Sequence, residues 1–75
     1  MRTRQKVCVV TFSDTHEAIA FEERCHARGF PGRIIPTPQS ISAGCGLAWL
    51  IPPGETLSVK DVGAYEAIHE VTLWL

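Results

Sequence analysis

Residues 6–12 read Lys-Val-Cys-Val-Val-Thr-Phe and run directly into Ser13-Asp14-Thr15. The first stretch is a nearly continuous apolar run, rich in β-branched and aromatic residues, which is typical of a strand at the centre of a sheet. The second stretch offers side-chain oxygens that can cap the start of a helix. Together they predict a central strand that leads at once into a helix.

The helix is predicted from about Thr15 to Arg28. Ala18, Phe21 and Cys25 recur at helical spacing on one stripe, as expected of a helix that packs one face against a sheet. Gly29 follows directly and is a common helix terminator. The chain therefore opens with a strand and an amphipathic helix.

The remainder of the chain predicts three strands and one more helix. Gly32 to Pro36 should be a strand at a sheet edge, because proline cannot donate to a ladder. The further predicted elements are a strand from Gly46 to Ile51, a helix from about Val59 to His69, which Gly63 weakens, and a strand from Val71 to Leu75.

The resulting order, βαββαβ, predicts a ferredoxin-like α+β sandwich, with two helices on one face of a four-stranded antiparallel sheet. At 75 residues we expect a single domain over residues 1–75. One sheet face would lack helices, yet the first and third predicted strands carry apolar residues on both sides, including Val7 and Val9 on one side of the first. Because a second copy could cover such a face, we expect a homo-oligomer.

Composition restricts the possible partners. Seven basic and eight acidic side chains give a net charge of −1, so no strong field attracts nucleic acid or an anionic membrane. No segment approaches the roughly 20 apolar residues that span a bilayer, and the apolar run behind the basic amino terminus is too short for a signal peptide. We expect a soluble cytoplasmic protein whose three cysteines are thiols.

Cys45 is the candidate reactive residue. It lies between Gly44 and Gly46, where the backbone can present the side chain outward and where exposed N–H groups could stabilise an anionic sulfur. Cys8 in a central strand and Cys25 in the apolar helix stripe should be buried and inert. The alternative for Cys45 is structural: it begins the third strand and packs under the loop.

Other chemistry has little support in the sequence. The cysteines and histidines show no Cys-x-x-Cys motif and no helical histidine pair, so we expect no metal and no cofactor. A cysteine–histidine nucleophilic enzyme would need His26 or His69 to reach Cys45 through the fold, and both are more simply explained as surface residues. Two aromatics on strands, Trp49 and Trp74, are more simply core or subunit-interface residues than a base-stacking platform.

The stretch from Ile35 to Leu47, Ile-Pro-Thr-Pro-Gln-Ser-Ile-Ser-Ala-Gly-Cys-Gly-Leu, resembles the signature of a family of small bacterial proteins described as selenium/sulfur carrier-like. The likeness extends over nearly the whole chain. It implies that Cys45 carries a chalcogen and that its loop is shaped by the following residues: Pro36, Pro38, Ser42 and Gly46. Gln39 stands where the family commonly has an arginine, which removes a cation that could have favoured the thiolate.

The leading hypothesis is a small carrier rather than a stand-alone enzyme. The Cys45 thiolate would accept sulfur or selenium from a donor enzyme as a persulfide or selenopersulfide and pass it to an acceptor enzyme. The alternative is a regulatory or scaffolding oligomeric module that binds a small ligand or a protein partner, with Cys45 purely structural.

Overall fold

The computed structural model describes residues 3–41, 44–53 and 61–74. In this part the chain forms five elements: β1 (Arg4–Thr11), α1 (Thr15–Ala27), β2 (Arg33–Pro36), β3 (Leu47–Ile51) and β4 (Ala67–Trp74). The strands make one antiparallel sheet in the order β2-β3-β1-β4. The predicted α+β class and four-stranded antiparallel sheet are therefore confirmed.

β1 lies inside the sheet, as its apolar sequence predicts. It pairs with β3 from Cys8↔Ile51 to Thr11↔Ala48, and with β4 along its whole length from Arg4↔Trp74 to Thr11↔Ala67. β2 pairs only with β3 in the described sheet, so its predicted edge position is confirmed. The C-terminal end of β1 thus meets the start of β3 and the start of β4.

α1 begins and ends where the sequence predicts, to within one residue. The Asp14 side chain caps it by accepting from the Glu17 backbone N–H at 2.8 Å, and Arg28 is the C-terminal cap. The stripe of Ala18, Phe21 and Cys25 is buried. No helix in the described part of the chain is long and apolar enough to cross a membrane.

The core between α1 and the sheet is built around aromatic rings. The Phe21 ring lies 5.1 Å from that of Phe12 and 6.2 Å from that of Trp49, with tilted and edge-on geometry. All three side chains are fully or almost fully buried. Rings in these orientations gain attraction beyond the burial of their area, so this cluster fixes how α1 sits on the sheet.

The prediction of a second helix from about Val59 to His69 is wrong wherever that segment is described. Asp61 lies in a single 3₁₀ turn, and β4 begins at Ala67, four residues before the predicted start of the last strand. The spacing of Val62, Tyr65 and Ile68 suggested a helix, but Ile68 pairs across from Val10 of β1. The sheet has the strand order and directions of a ferredoxin-like fold, while the described residues supply one α-helix instead of two.

The sheet face opposite α1 has its own apolar cluster. Val7, Val9, Ala48 and Leu50 are buried there, and Ile41 from the β2–β3 loop packs against them. Val7 and Val9, whose apolar character suggested that a second copy covers this face, are therefore already buried within one chain. The homo-oligomer stays a prediction, and this face no longer requires it.

Candidate functional site

Cys45 is held against the C-terminal end of β1. Its backbone N–H donates to the Phe12 carbonyl at 3.0 Å. One residue further on, the Gly46 carbonyl accepts from the Thr37 N–H at 2.9 Å, which joins the end of β2 to the start of β3. Backbone bonds to two different strands therefore position the cysteine, although it lies before the first residue of β3.

The two neighbouring glycines adopt conformations that other residues rarely take. Gly44 has φ +81° and Gly46 has φ +93°. A Cβ at Gly44 would lie 2.8 Å from the Phe12 carbonyl oxygen, whereas a Cβ at Gly46 would meet nothing within 4 Å. Gly44 is thus required both by its backbone angle and by its close approach to β1, and Gly46 by its backbone angle alone.

The predicted loop-shaping prolines lie on the β2 side of the loop. Pro36 is the last residue of β2 and pairs with Leu47, and the Pro38 carbonyl accepts from the Ile41 N–H at 2.9 Å in a tight turn. The peptide bonds before both prolines are trans. Ser42, the remaining predicted loop residue, lies outside the described residues.

The three cysteines differ in their surroundings, and all are thiols. Cys45 is half-buried and packs against the core on the α1 side of the sheet. Cys25 is fully buried, and burial raises the pKa of its thiol, an effect that the charge of Arg28 partly opposes. The predicted burial of Cys25 is therefore confirmed.

Cys8 departs from its predicted burial. It lies within the β1 ladder opposite Ile51 and Glu70, but its side chain is only half-buried. The physical reason is the placement of α1, which packs on β3 and β2 and so gives the part of β1 around Cys8 less cover. Exposure alone therefore does not separate Cys8 from Cys45; their backbone settings do.

Neither His26 nor His69 forms a catalytic pair with Cys45. His26 lies near the C-terminal end of α1, about 15 Å along the helix from the end that follows β1. Its ring lies edge-on to Trp49 at 5.8 Å. His69 pairs across from Val9 and lies 3.3 Å from the Thr11 hydroxyl, on the sheet face opposite α1. Neither is placed to act as a base for the Cys45 thiol.

The N-terminal end of α1, which follows β1 closely, is already satisfied by the chain itself. Asp14 accepts from the Glu17 N–H, and the Glu17 carboxylate accepts in return from the Ser13 N–H at 3.1 Å. This arrangement is a variant of the capping box in which the Glu17 carboxylate binds the N–H one residue before the N-cap, and its two carboxylates also counter the positive end of the helix dipole. The helix end is thus occupied by acidic groups of its own.

Two further residues near the site, Phe12 and Thr37, were not predicted from the sequence to contribute to it. Phe12 supplies the carbonyl that anchors Cys45, and its position at the end of an apolar strand was the available signal. Thr37 lies between the two prolines, and its buried hydroxyl has no hydrogen-bond partner among the described residues. A threonine flanked by prolines carries no pattern that would predict this.

The arrangement offers one partly accessible sulfur on a backbone that two strands hold in place. The described residues contain no group of three or more side chains suited to bind a metal ion. A cavity of about 380 Å³ lies at the opposite end of β3, lined by Gly32, Arg33, Leu50, Pro52 and Pro53, and is separate from Cys45. The site fits chemistry at a single sulfur atom.

Comparison with known proteins identifies one family. The model of the family described as "Putative Se/S carrier protein-like" matches residues 7–71, a range that includes α1, the Cys45 loop and most of β1 and β4. No curated protein and no solved structure matches the chain significantly.

Proposed function

The chain belongs to the Se/S carrier-like family, and on that premise we propose that Cys45 is the atom-carrying residue of a sulfur or selenium carrier. The observation that carries the proposal is the setting of Cys45. It is half-buried, its N–H donates to the carbonyl of Phe12 directly after β1, and glycines with left-handed backbones lie on both sides. A carrier needs a sulfur atom that a partner can reach. It also needs a backbone that holds this sulfur in a fixed position.

The transfer needs only thiol chemistry. The Cys45 thiolate attacks the outer sulfur of a cysteine persulfide on a donor enzyme. A new S–S bond forms on Cys45, the S–S bond in the donor breaks, and the donor cysteine leaves as a thiolate. The numbers of persulfides and thiols are unchanged, so neither an oxidant nor a reductant is consumed. With selenium as the outer atom, the product is a selenopersulfide.

Delivery repeats the same exchange in the opposite sense. A nucleophile on an acceptor enzyme attacks the outer chalcogen, and Cys45 leaves as a thiolate. The protein then returns to its starting state, which makes it an accessory carrier and not a stand-alone enzyme. Because persulfide exchange requires free thiols, the proposed location is the reducing cytoplasm.

The structure supplies a matched control for Cys45. Cys8 is also half-buried, but it lies within a regular ladder between β3 and β4. Cys25 is enclosed in the core. A carrier with one dedicated sulfur should therefore lose its function with Cys45→Ser and keep it with Cys8→Ser.

The test is intact mass after incubation with a cysteine desulfurase and its substrate, followed by removal of unbound sulfur. Wild-type protein and Cys8→Ser should each gain the mass of one sulfur atom, and Cys45→Ser should gain none. Selenocysteine in place of cysteine as the desulfurase substrate tests selenium. Failure of wild-type protein to gain mass, or equal gain by Cys45→Ser, would overturn the proposal. The regulatory or scaffolding module would then be the better explanation, with partner binding retained in Cys45→Ser.

A further inference from the structure

The two edges of the sheet differ in how they protect themselves from pairing. β2 is four residues long, ends in Pro36 and is closely preceded by Pro31. β4 is eight residues long, Ala67–Trp74, and contains neither proline nor lysine. Short length, proline and charged side chains, lysine above all, are the usual devices that keep an edge strand from pairing with another chain. β2 is short and contains Arg33 and Pro36, whereas the longer β4 has one such charged residue, Glu70.

The β4 edge also carries an unusually exposed aromatic residue. Trp74 is 63% exposed, and its ring lies 5.9 Å from the Arg4 guanidinium carbon on the neighbouring strand. Among the described residues, no strand pairs with the outer side of β4. A long open edge that ends in an exposed tryptophan is a typical site for strand addition.

We propose that β4 pairs antiparallel with β4 of a second copy, around a two-fold axis at Val71, to form a continuous eight-stranded sheet. This inference does not depend on the proposed carrier function. It also differs from coverage of the face opposite α1, because that face is already packed within one chain.

Symmetry restricts the register. Paired residues must lie on the same face of the joined sheet, and residues alternate between faces along β4. An antiparallel pair related by a two-fold axis normal to the sheet therefore places one residue opposite its own copy. Axes at Glu70 or Val71 give the longest overlap, the seven residues of 67–73 or of 68–74 respectively.

Charge decides between these two registers. An axis at Glu70 sets two carboxylates directly opposite each other, which destabilises a strand pair. An axis at Val71 places Glu70 opposite Thr72 of the second copy. It also places Trp74 opposite Ile68 of the second copy, so that the exposed indole gains an apolar neighbour. A second copy of this chain therefore fits the β4 edge in the register around Val71.

The test uses a residue at the edge that contributes little to the core. Thr72 is exposed on β4. Thr72→Glu creates two equivalent Glu–Glu pairs per dimer in the proposed register, and should weaken dimerisation about tenfold. Thr72→Lys creates two Lys–Glu pairs and should not weaken it. The double variant Glu70→Lys/Thr72→Glu restores opposite charges and should recover the wild-type affinity.

Sedimentation velocity over a concentration series gives the readout. The wild type, with a chain mass of 8.3 kDa, should sediment as a species of twice that mass at high concentration. Far-UV circular dichroism checks that each variant is folded, and Trp74→Ser provides a second weakened variant. A wild type that stays monomeric overturns the proposal. So does a dimer whose affinity changes equally with Thr72→Glu and Thr72→Lys, because its interface would then lie elsewhere.

Discussion

Cys25 and Cys45 carry the same chemical group in opposite settings. Cys25 is the last residue of a buried helical stripe that begins with Ala18 and Phe21, and its side chain is 0% exposed. Cys45 stands outside any regular element, between two glycines, and is only half-buried. The difference shows that residue type alone does not decide how exposed a thiol is in this fold.

The largest expected effect is on thiol labelling of the native protein. Cys45 should react with a maleimide at least about a thousandfold faster than Cys25, because Cys25 reacts only after the core opens, at a cost of several kcal/mol. Trypsin places the three cysteines on separate peptides, residues 7–24, 25–28 and 34–60. The labelling reaction is quenched at a series of times, and the masses of these peptides give the labelling rate of each cysteine. Similar labelling rates for Cys25 and Cys45 would contradict the conclusion that the two thiols differ in accessibility.

The next effect concerns the two glycines that set Cys45 apart. Gly44→Ala should destabilise the fold by about 2–4 kcal/mol, because it combines a left-handed backbone with a close contact to the Phe12 carbonyl. Gly46→Ala should cost only about 1–2 kcal/mol, because the new methyl group would meet the same backbone strain but no neighbouring atom. Urea denaturation measures both. Equal costs would mean that the contact with β1 does not hold the loop.

The smallest effect is a pH dependence from Cys25. Burial raises the pKa of this thiol above its value in the unfolded chain, so the folded state keeps a proton that the unfolded state loses. Its contribution to stability is fully present below the unfolded pKa of about 9.0 and declines as pH rises through the folded pKa. The free energy of unfolding should therefore fall with rising pH at alkaline values.

Cys25→Ala is the control for this dependence. The variant should start from a lower stability, because it leaves a small cavity, but its unfolding free energy should fall less steeply above pH 9 than that of the wild type. Chemical denaturation at a series of pH values gives both slopes. Parallel curves would show that Cys25 ionises as readily in the folded state as in the unfolded chain.

Local patterns predicted the first half of the fold well. The apolar run of β1, the cap at Asp14 and the stripe on α1 all report forces that act between near neighbours in sequence. The start of β4 was predicted wrongly, because its eight residues are stabilised by pairing with β1, more than fifty residues away in the sequence. The helical spacing from Val62 to Ile68 was a weaker local signal, and tertiary pairing overrode it.

At the candidate site, too, local features could be predicted from the sequence and long-range contacts could not. Glycine on both sides of Cys45 indicated an unusual backbone, and the structure places both residues at positive φ. The bond from Cys45 to Phe12 joins residues that no local pattern connects, so sequence reasoning could not supply it. Nor could it show that Cys8 is half-buried, because that depends on where α1 crosses the sheet.

The most direct test of the carrier role locates the transferred atom. Protein incubated with a persulfide donor is alkylated, digested with trypsin and analysed by peptide mass spectrometry. The carrier account predicts an alkylated persulfide on residues 34–60, the peptide that contains Cys45, and none on residues 7–24 or 25–28. A persulfide distributed equally between the Cys8 and Cys45 peptides, or absent from the Cys45 peptide, would contradict it.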